Sequence, residues 1–302
     1  MNEPAHRAGH VAIVGRANVG KSTLLNWLVG QKISITSRKP QTTRQRITGI
    51  LTREDAQLVF VDTPGYQAPR NTTLNRLMNR SVISGAQDVE VVLLVVEALK
   101  LDKRDLELYR ALPLRQPVAL VVVINKVDRV RNRNLLLPFM QSVHERFNSA
   151  AIVPVSALKN SGRDELVNAI VALLPAGPRL FDEDEITHSS ERFLAAELIR
   201  EKLFRTLGDE LPYAMAVDIA RFETRGRLRH IHAEIIVDKA SQKPIVIGRN
   251  GEKLKTIASL AREDMEQLFG GKVFLEIWVK VKSGWADDER ALKRMGYGAA
   301  EG

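Results

Sequence analysis

Cysteine is absent from the 302-residue sequence, which excludes disulfide bonds and cysteine metal sites and is typical of a cytoplasmic protein. Also absent is any run that approaches the roughly 20 uncharged apolar residues needed to span a membrane. The opening residues, MNEPAHRAGHV, lack the apolar core of an export signal, so we expect a protein that is not exported. The length favours about two domains, each large enough for its own core.

The net charge of +9 is distributed unevenly. Residues 1–180 hold 25 Lys and Arg against 14 Asp and Glu, whereas residues 181–302 hold 20 against 22. Within the second part, residues 221–255 hold 9 basic and 4 acidic residues, a local excess of +5. This segment is a better candidate for contact with nucleic acid than the total charge indicates. The alternative is an ordinary solvated charged surface.

The first 175 residues alternate short apolar runs with segments of helical pattern. The runs are rich in β-branched residues, as in strands buried on both faces of a parallel sheet, and they lie at 10–15, 56–62, 89–98, 117–125 and 150–156. Helices are predicted between them, at 22–29, 71–84, 102–111, 134–147 and 163–174. We therefore predict an α/β domain with a mostly parallel, doubly wound sheet. A hairpin at 49–62 adds an antiparallel edge strand.

A different order of elements follows. The stretch LLPAGPRLFDEDEITHSS (173–190) contains prolines, a glycine and an acidic run, and predicts a linker. Beyond it we predict a helix at 190–207, a hairpin turning at Arg225–Gly226, a Gly248-x-x-Gly251 loop, a helix at 252–268 and a strand at 272–282. The order α-β-β-turn-α-β indicates a smaller α+β domain.

The motif Gly15-x-x-x-x-Gly20-Lys21-Ser22 follows a predicted strand and opens a predicted helix, which is the context of a P-loop. Its glycines let backbone N–H groups converge on phosphates, and the helix N-terminus adds positive potential. Lys21 can reach the β- and γ-phosphates, and the Ser22 hydroxyl can bind Mg²⁺. The sequence therefore predicts a nucleotide site near its start.

Two further segments fit the γ-phosphate and the metal. Asp62-Thr63-Pro64-Gly65 ends the next long strand, where Asp62 can reach the metal shell and the N–H of Gly65 can touch the γ-phosphate. A switch segment also needs a hydroxyl that contacts Mg²⁺ only when that phosphate is present. Within SRKPQTTRQRI we predict Thr43 for this role, with Thr42 as the alternative.

The base is predicted from Asn125-Lys126-Val127-Asp128, at the end of a later strand. A carboxylate can accept two N–H bonds from guanine N1 and N2, whereas adenine offers no such pair of donors, so Asp128 predicts GTP rather than ATP. Asn125 braces the loop, and the stem of Lys126 can lie on the base. The backbone of Ser156-Ala157 can donate to guanine O6.

The residue after Gly65 bears on the rate of hydrolysis. Many GTPases have a glutamine there that orients the attacking water, but this chain has Tyr66. We therefore expect slow intrinsic hydrolysis. Asn18 is a candidate ligand for a K⁺ ion that bridges the phosphates, and the alternative is that Asn18 only shapes the loop.

The segments GRANVGKST, QTTRQR, DTPGY, NKVD and SAL resemble motifs of the Era family of GTPases. PIVIGRNGEKLKTIA and FLEIWVKVKSGWADDERALKRMGYG resemble the family's KH domain and C-terminal tail, although Ala17 stands where relatives often have proline. The resemblance covers roughly residues 8 to 298. It implies a G domain at 8–175, a linker at 176–190, a type II KH domain at 191–283 and a tail at 284–302.

The resemblance implies a bacterial GTPase that binds the 3′ end of 16S ribosomal RNA, most strongly with GTP, and assists assembly of the 30S subunit. It implies GTP or GDP and Mg²⁺ as ligands, and for some members a peripheral contact with the inner membrane. We further expect a monomer. The implied catalytic residues are Lys21, Thr43, Asp62 and Gly65. The implied nucleotide-binding residues are Gly15, Arg16, Ala17, Asn18, Val19, Gly20, Lys21, Ser22, Thr23, Asp62, Thr63, Pro64, Gly65, Tyr66, Asn125, Lys126, Val127, Asp128, Ser156 and Ala157. Ser22 and Thr43 are the predicted Mg²⁺ ligands, with Asp62 acting through water.

The Gly248-x-x-Gly251 loop is compatible with RNA on physical grounds as well. Glycines between two helices let the backbone approach that of a nucleic acid. The predicted RNA-binding residues are Gly248, Arg249, Asn250, Gly251, Lys253 and Lys255. Candidates for an apolar groove that receives bases are Ile235, Val237, Ile245, Ile247, Leu254 and Ile257. The alternative is a helix–helix turn without a ligand.

Three functions remain open at this stage. The first is an enzyme whose GTP hydrolysis drives release from a ribosome precursor. The second is an RNA-binding assembly factor in which GTP only locks a conformation, with negligible turnover. The third is a related GTPase that acts on transfer RNA or the large subunit, against which the Gly-x-x-Gly loop and the single P-loop argue.

Overall fold

The computed structural model describes residues 6–37, 39, 42–67, 72–115, 117–208 and 211–297. They form two compact units. The first contains most of the chain up to His188. The second contains the chain from Ser189 onward and two short segments from earlier in the sequence, Ile35–Thr42 and Asn71–Leu74.

Within the described part of the first unit, the strands form one six-stranded sheet in the order β2-β3-β1-β4-β5-β6. The strands are β1 (Arg7–Val14), β2 (Ile47–Thr52), β3 (Ala56–Asp62), β4 (Val91–Glu97), β5 (Ala119–Asn125) and β6 (Ala151–Pro154). Only β2 pairs antiparallel, with β3. The predicted α/β fold and its antiparallel edge strand are therefore confirmed. The central strands are buried on both faces, which explains their apolar sequences.

The helices of this unit are α1 (Lys21–Val29), α2 (Thr73–Ser84), α3 (Lys103–Ala111), α4 (Leu136–Arg146) and α5 (Arg163–Val171). Gly20 begins α1 with a φ of 103°, a left-handed conformation that suits glycine. The carboxyl ends of β1, β3 and β5 lie at one edge of the sheet. Ligands of open α/β sheets bind at that edge, so the predicted motif loops converge there.

The second unit follows the predicted α+β order. Its elements are α6 (Glu191–Thr206), β7 (Met215–Arg225), β8 (Leu228–Val237), α7 (Lys243–Ile247), α8 (Glu252–Phe269), β9 (Lys272–Val281) and α9 (Glu289–Arg294). In the three-stranded sheet, β8 pairs antiparallel with β7 and parallel with β9. The predicted turn before the glycine loop is the short helix α7.

The segment after β9 is part of this unit's packing. Trp285 is fully buried, and its indole N–H donates to the carbonyl of Ala214 at 3.1 Å. Asp288 begins α9 and accepts a hydrogen bond from the backbone N–H of Ala291. The sequence after residue 283 therefore stabilises the second unit up to at least Tyr297, which is also buried.

Candidate nucleotide site and nucleic-acid interface

The P-loop connects β1 to α1 and is tightly packed. A Cβ atom on Gly20 would lie 2.5 Å from Nδ2 of Asn125, so a side chain there would displace the Asn125 loop. Lys21 is buried, and its Nζ donates to the carbonyls of Gly15 (3.0 Å) and Arg16 (3.2 Å). The loop therefore holds the ammonium group beside the backbone that would surround a phosphate.

Burial lowers the pKa of Lys21 to about 8, against the opposing effect of Asp62 and Asp105. The side chain remains mostly protonated at neutral pH because this value still exceeds 7. A buried ammonium group is suited to binding an anion, since few waters compete for its N–H groups.

Asp62 is fully buried at the end of β3 and lies among hydroxyl groups. Its Oδ2 accepts hydrogen bonds from Ser22 (2.8 Å) and Ser34 (3.1 Å). Burial raises the pKa of Asp62 to about 6, although Lys21 and the neighbouring hydroxyls oppose the shift. Among the described residues, Oδ1 of Asp62 has no hydrogen-bond partner. This buried oxygen, which lacks a partner beside two hydroxyls, fits the oxygen preference of Mg²⁺.

The structure distinguishes the two threonines of the switch segment. Oγ1 of Thr43 lies 2.6 Å from Oγ of Ser22, and Thr43 is buried. The hydroxyl of Thr42 instead donates to the carbonyl of Lys39 at 2.7 Å. Of the two, Thr43 is therefore the one that lies beside Ser22, and its role as a metal ligand stays a prediction.

The Asp62–Gly65 motif runs directly beside the P-loop. The backbone N–H of Tyr66 donates to Gly15 at 3.1 Å, and the N–H of Ala17 donates to Tyr66 at 3.4 Å. A Cβ atom on Gly65 would lie 2.7 Å from Cα of Ala17, so glycine is required for this approach. The Thr63 hydroxyl donates to the carbonyl of Ile13 at 2.8 Å and anchors the turn. The ring of Tyr66 packs on the hydrophobic core of the first unit.

The predicted base-binding residues are brought together by Asn125. Its Nδ2 donates to the P-loop carbonyl of Val19 (2.9 Å), and its Oδ1 accepts from the N–H groups of Lys126 (2.8 Å) and Ala157 (3.2 Å). Asp128 is exposed and accepts a hydrogen bond from the Ser156 hydroxyl at 2.5 Å. One amide therefore fixes three loops, and a serine orients the exposed carboxylate.

Sequence reasoning missed several residues that support the site. Glu97, at the end of β4, pairs with Nζ of Lys126 at 2.7 Å, and hydrogen bonds from Lys100 and Lys126 lower its pKa although burial opposes the shift. Both oxygens of buried Asp105 share the Nε–H of Arg16, at 3.0 Å from Oδ1 and 2.9 Å from Oδ2. The position of Glu97 at the carboxyl end of a strand is the one signal that could have identified it.

Ser34 and Asn26 were also missed. The side chain of Asn26 accepts from the backbone N–H groups of Ile33 (3.0 Å) and Ser34 (2.8 Å) and donates to the carbonyl of Ser34 (2.7 Å). These bonds hold the turn after α1 so that the Ser34 hydroxyl reaches Asp62. No motif surrounds either residue, so sequence spacing offered no signal.

In the second unit, the glycine loop joins α7 to α8. Gly248 has a φ of 77° and a ψ of 175°, which only glycine adopts readily, and Asn250 and Gly251 also have positive φ. The predicted basic residues Arg249, Lys253 and Lys255 are exposed around it. The loop therefore presents backbone and positive charge together.

The predicted apolar groove needs correction. Ile235, Val237 and Ile257 are 0% exposed and belong to the hydrophobic core of the second unit. They cannot contact a base without unpacking that core. Ile245 is 48% exposed, and Ile247 and Leu254 are partly buried. Of the six candidates, the side chains available to a ligand are therefore Ile245, Ile247 and Leu254.

Together, a P-loop beside a buried carboxylate and its hydroxyls, an Asn125–Asp128 segment held against that loop, and a glycine loop on an α+β unit are typical of a GTP-binding protein of the P-loop class with a nucleic-acid-binding domain. A model of the 50S ribosome-binding GTPase family matches residues 10–126, and a model of the KH domain matches residues 210–286.

Full-length relatives identify the family. The chain is 55% identical over 297 residues to GTPase Era of Nitrosomonas eutropha, with 98% of this chain and 100% of the relative covered. It is 52% identical over 296 residues to GTPase Era of Chromobacterium violaceum, covering 98% and 99%. The chain belongs to the Era family of GTPases. It is a GTPase with a C-terminal KH RNA-binding domain.

Solved structures agree with this assignment. The chain matches Aquifex aeolicus Era bound to GDP and AlF4⁻ with a TM-score of 0.93 and 39% identity, over 97% of this chain and 100% of that one. With the same TM-score and coverage, it is 38% identical to Era in complex with MgGDPNP and nucleotides 1506–1542 of 16S ribosomal RNA. Within the described residues, no helix is long and apolar enough to cross a membrane.

Proposed function

We propose that this protein binds the 3′ end of 16S ribosomal RNA through its KH domain under the control of GTP, and thereby assists assembly of the 30S subunit. The observation that carries the proposal is the match, over nearly the whole chain, to an Era protein in complex with MgGDPNP and that RNA segment. The exposed basic residues around the glycine loop support it independently.

In this proposal the P-loop residues Gly15–Thr23 hold the phosphates, with Lys21 on the β- and γ-phosphates. Ser22 and Thr43 would hold Mg²⁺ directly and Asp62 would hold it through water, which the close grouping of these oxygens and the partnerless Oδ1 of Asp62 support. When bound there, Mg²⁺ would neutralise charge that develops on the phosphates. The N–H of Gly65 is available to the γ-phosphate, so both switch contacts depend on that group.

Base recognition is assigned to Asp128, Lys126 and the Ser156–Ala157 backbone. The hydrogen bond from Ser156 to Asp128 supports this assignment because it orients the carboxylate of an exposed residue. The ion pair of Lys126 with Glu97 holds the lysine stem at the same edge of the sheet.

Thr43 and Thr42 provide a matched test of the metal site. We expect Thr43→Ala to lower the single-turnover rate of GTP hydrolysis by about 100-fold, since it removes a ligand that acts on the transferred phosphate. Thr42→Ala removes only the hydrogen bond to Lys39 and should leave the rate near that of wild type. Phosphate release from preformed GTP complexes measures both, and equal effects would contradict the assignment.

Asn18 tests the proposed K⁺ site. Its φ of 66° is a left-handed conformation that asparagine and glycine both tolerate. Asn18→Gly therefore keeps the loop geometry and removes the amide. We expect wild-type hydrolysis to be faster in K⁺ than in Na⁺ and the variant to lose that difference. A K⁺ stimulation that persists in the variant would leave Asn18 with the loop-shaping role alone.

The alternative function, in which GTP only locks a conformation, rests on Tyr66 at the position of the usual glutamine, and membership of a GTPase family argues against it. Multiple-turnover phosphate release in K⁺ or Na⁺, with and without an RNA of the 16S 3′ end, separates the two. Release in any of the four conditions supports the enzyme. Release that stays below detection in all four would overturn it.

We also propose the domain boundaries 8–175, 176–190, 191–283 and 284–302, a monomeric state and a peripheral contact with the inner membrane. The family resemblance supports the boundaries, the monomeric state and the membrane contact. Limited proteolysis, sedimentation at increasing concentration and fractionation of cell membranes test them in turn.

A further inference from the structure

The two halves of the P-loop are held by different partners. In the second half, Nδ2 of Asn125 donates to the carbonyl of Val19 at 2.9 Å. Nζ of Lys126 donates to the carbonyl of Asn18 at 2.5 Å. The base-binding segment thus fixes the part of the loop that leads into α1, whereas the first half, Gly15–Ala17, is held by other contacts.

The first half of the loop pairs with the turn that follows β3. The backbone N–H of Tyr66 donates to the carbonyl of Gly15 at 3.1 Å, and the N–H of Ala17 donates to the carbonyl of Tyr66 at 3.4 Å. Arg16 therefore lies opposite Tyr66 in a short parallel bridge. Because Gly65 directly precedes Tyr66, the position of this bridge determines where the N–H of Gly65 lies beside the P-loop.

The side chain of Arg16 is anchored at the start of α3, in the same unit of the chain. Both oxygens of Asp105 share its Nε–H, at 3.0 Å from Oδ1 and 2.9 Å from Oδ2. Nη2 of Arg16 donates to the carbonyl of Lys100 at 2.9 Å. The side chain of Arg16 is 13% exposed and that of Asp105 is 0% exposed, so water competes little for this pair.

Asp105 is in turn fixed by its own helix. Its Oδ2 accepts a hydrogen bond from the backbone N–H of Asp102 at 2.8 Å, and Asp102 caps the helix by accepting from the N–H of Arg104. A carboxylate held in this way is a rigid support for a guanidinium. A buried ion pair that only stabilised the fold could often be replaced by apolar residues at little loss. The location of this pair beside the bridge therefore indicates a function beyond stability.

We propose that Asp105 is a positioning residue for recognition of the γ-phosphate and that it acts through Arg16. By holding Arg16, it keeps the first half of the P-loop paired with Tyr66 and directs the N–H of Gly65 at that phosphate. Ordering a backbone segment costs conformational entropy, and a turn that is already paired meets less of this cost when GTP binds. The inference rests on the proposed function in assigning the N–H of Gly65 to the γ-phosphate.

The affinities for GTP and GDP distinguish such a role from general support of the loop. GTP engages the N–H of Gly65 in this scheme, whereas GDP lacks the phosphate that would do so. The second half of the loop serves both nucleotides and keeps its own bonds to Asn125 and Lys126 when Asp105 is replaced. Loss of Asp105 therefore weakens GTP more than GDP.

The test measures equilibrium affinities for GDPNP and for GDP, in the presence of Mg²⁺, in the full-length protein. Asp105→Asn removes the negative charge but keeps a side-chain oxygen for the N–H of Asp102. The double replacement Arg16→Gln with Asp105→Asn removes both charges, so that neither is left buried alone and folding is preserved. We expect both variants to weaken GDPNP about 10-fold more than GDP, the effect of one hydrogen bond.

Asp102→Ala is the matched control for a disturbance of α3. The side chain of Asp102 binds Arg104 and not Arg16, so its loss removes the helix cap and lowers the melting temperature but should leave the ratio of the two affinities unchanged. Arg16→Lys keeps a cation next to Asp105 and should retain more of the preference for GDPNP than Arg16→Gln. Equal losses for GDPNP and GDP in Asp105→Asn, an unchanged ratio there, or a similar change of ratio in the control would overturn the inference.

Combination with Gly65→Ala separates this inference from the proposed function. A Cβ on Gly65 would lie 2.7 Å from Cα of Ala17, so alanine displaces the turn from the P-loop. If Asp105 acts through this turn, Asp105→Asn causes no further loss of the preference for GDPNP in the Gly65→Ala background. Additive losses would overturn the positioning role while Gly65 keeps its assignment. If Gly65→Ala itself leaves the preference unchanged, the assignment of Gly65 is wrong and the positioning role falls with it.

Discussion

Replacing Asp128 by asparagine is expected to weaken GTP binding by at least about 100-fold and to strengthen binding of xanthosine triphosphate. In the proposed site the carboxylate accepts two N–H bonds from guanine, and each hydrogen bond to a charged group contributes about 1.5–3 kcal/mol. An asparagine amide turns one acceptor into a donor, which opposes guanine N–H and matches the carbonyl of xanthine. Competition between the two nucleotides for the purified protein measures the change.

Ser156 provides the control for this prediction. Its hydroxyl donates to Oδ1 of Asp128 at 2.5 Å and so orients the carboxylate. We expect Ser156→Ala to weaken GTP by no more than about 10-fold and to leave the order of preference for the bases unchanged. An unaltered preference in Asp128→Asn would contradict the assignment of Asp128, whereas reversal in Ser156→Ala would mean that the serine contributes directly to specificity.

Much of the nucleotide site could be predicted because its parts are local motifs at strand ends. Gly20, Asp62 and Asn125 each follow a buried apolar run, and the carboxyl ends of parallel strands meet at one edge. The choice of Thr43 over Thr42 was harder, since both are hydroxyls in one loop. It depended on backbone direction, which the sequence pattern does not encode.

The supporting residues could not be predicted because their partners are distant in sequence. Arg16 and Asp105 are 89 residues apart, and Lys126 and Glu97 are 29 apart. A charged residue on an unassigned surface has no periodic signal, and its partner is known only once the chain is folded.

The predicted apolar groove of the KH domain shows a different limit of prediction from sequence. Alternation along β8 correctly predicts that Ile235 and Val237 share a face, and both are fully buried. Alternation does not tell whether helices cover that face or a ligand does. The helices of the second unit cover it, since Ile257 of α8 belongs to the same core cluster. An apolar stripe therefore predicted the core and not the binding surface.

Placing carboxylates at Gly248 and Gly251 is expected to lower RNA affinity by about 100-fold or more and to leave GTP affinity near wild type. A Gly-x-x-Gly loop binds the nucleic-acid backbone by close approach, and two negative charges there repel the phosphates. The two positions are not equivalent. A Cβ on Gly248 would lie 2.8 Å from the Lys253 side chain, whereas Gly251 faces open space within 4 Å. Filter binding of an RNA with the 16S 3′-end sequence measures the loss.

Gly251 is therefore the better position at which to compare a charged with an uncharged side chain. Its φ of 80° is one that asparagine also tolerates. Gly251→Asn adds a side chain without charge, and Gly251→Asp adds the same shape with charge. If phosphate repulsion is the cause, the aspartate variant binds RNA much more weakly than the asparagine variant, and the difference shrinks at high salt because charges are screened. Equal and salt-independent losses would show that bulk at the loop, rather than charge, prevents binding. Normal RNA affinity in both variants would mean that the RNA backbone does not approach this loop.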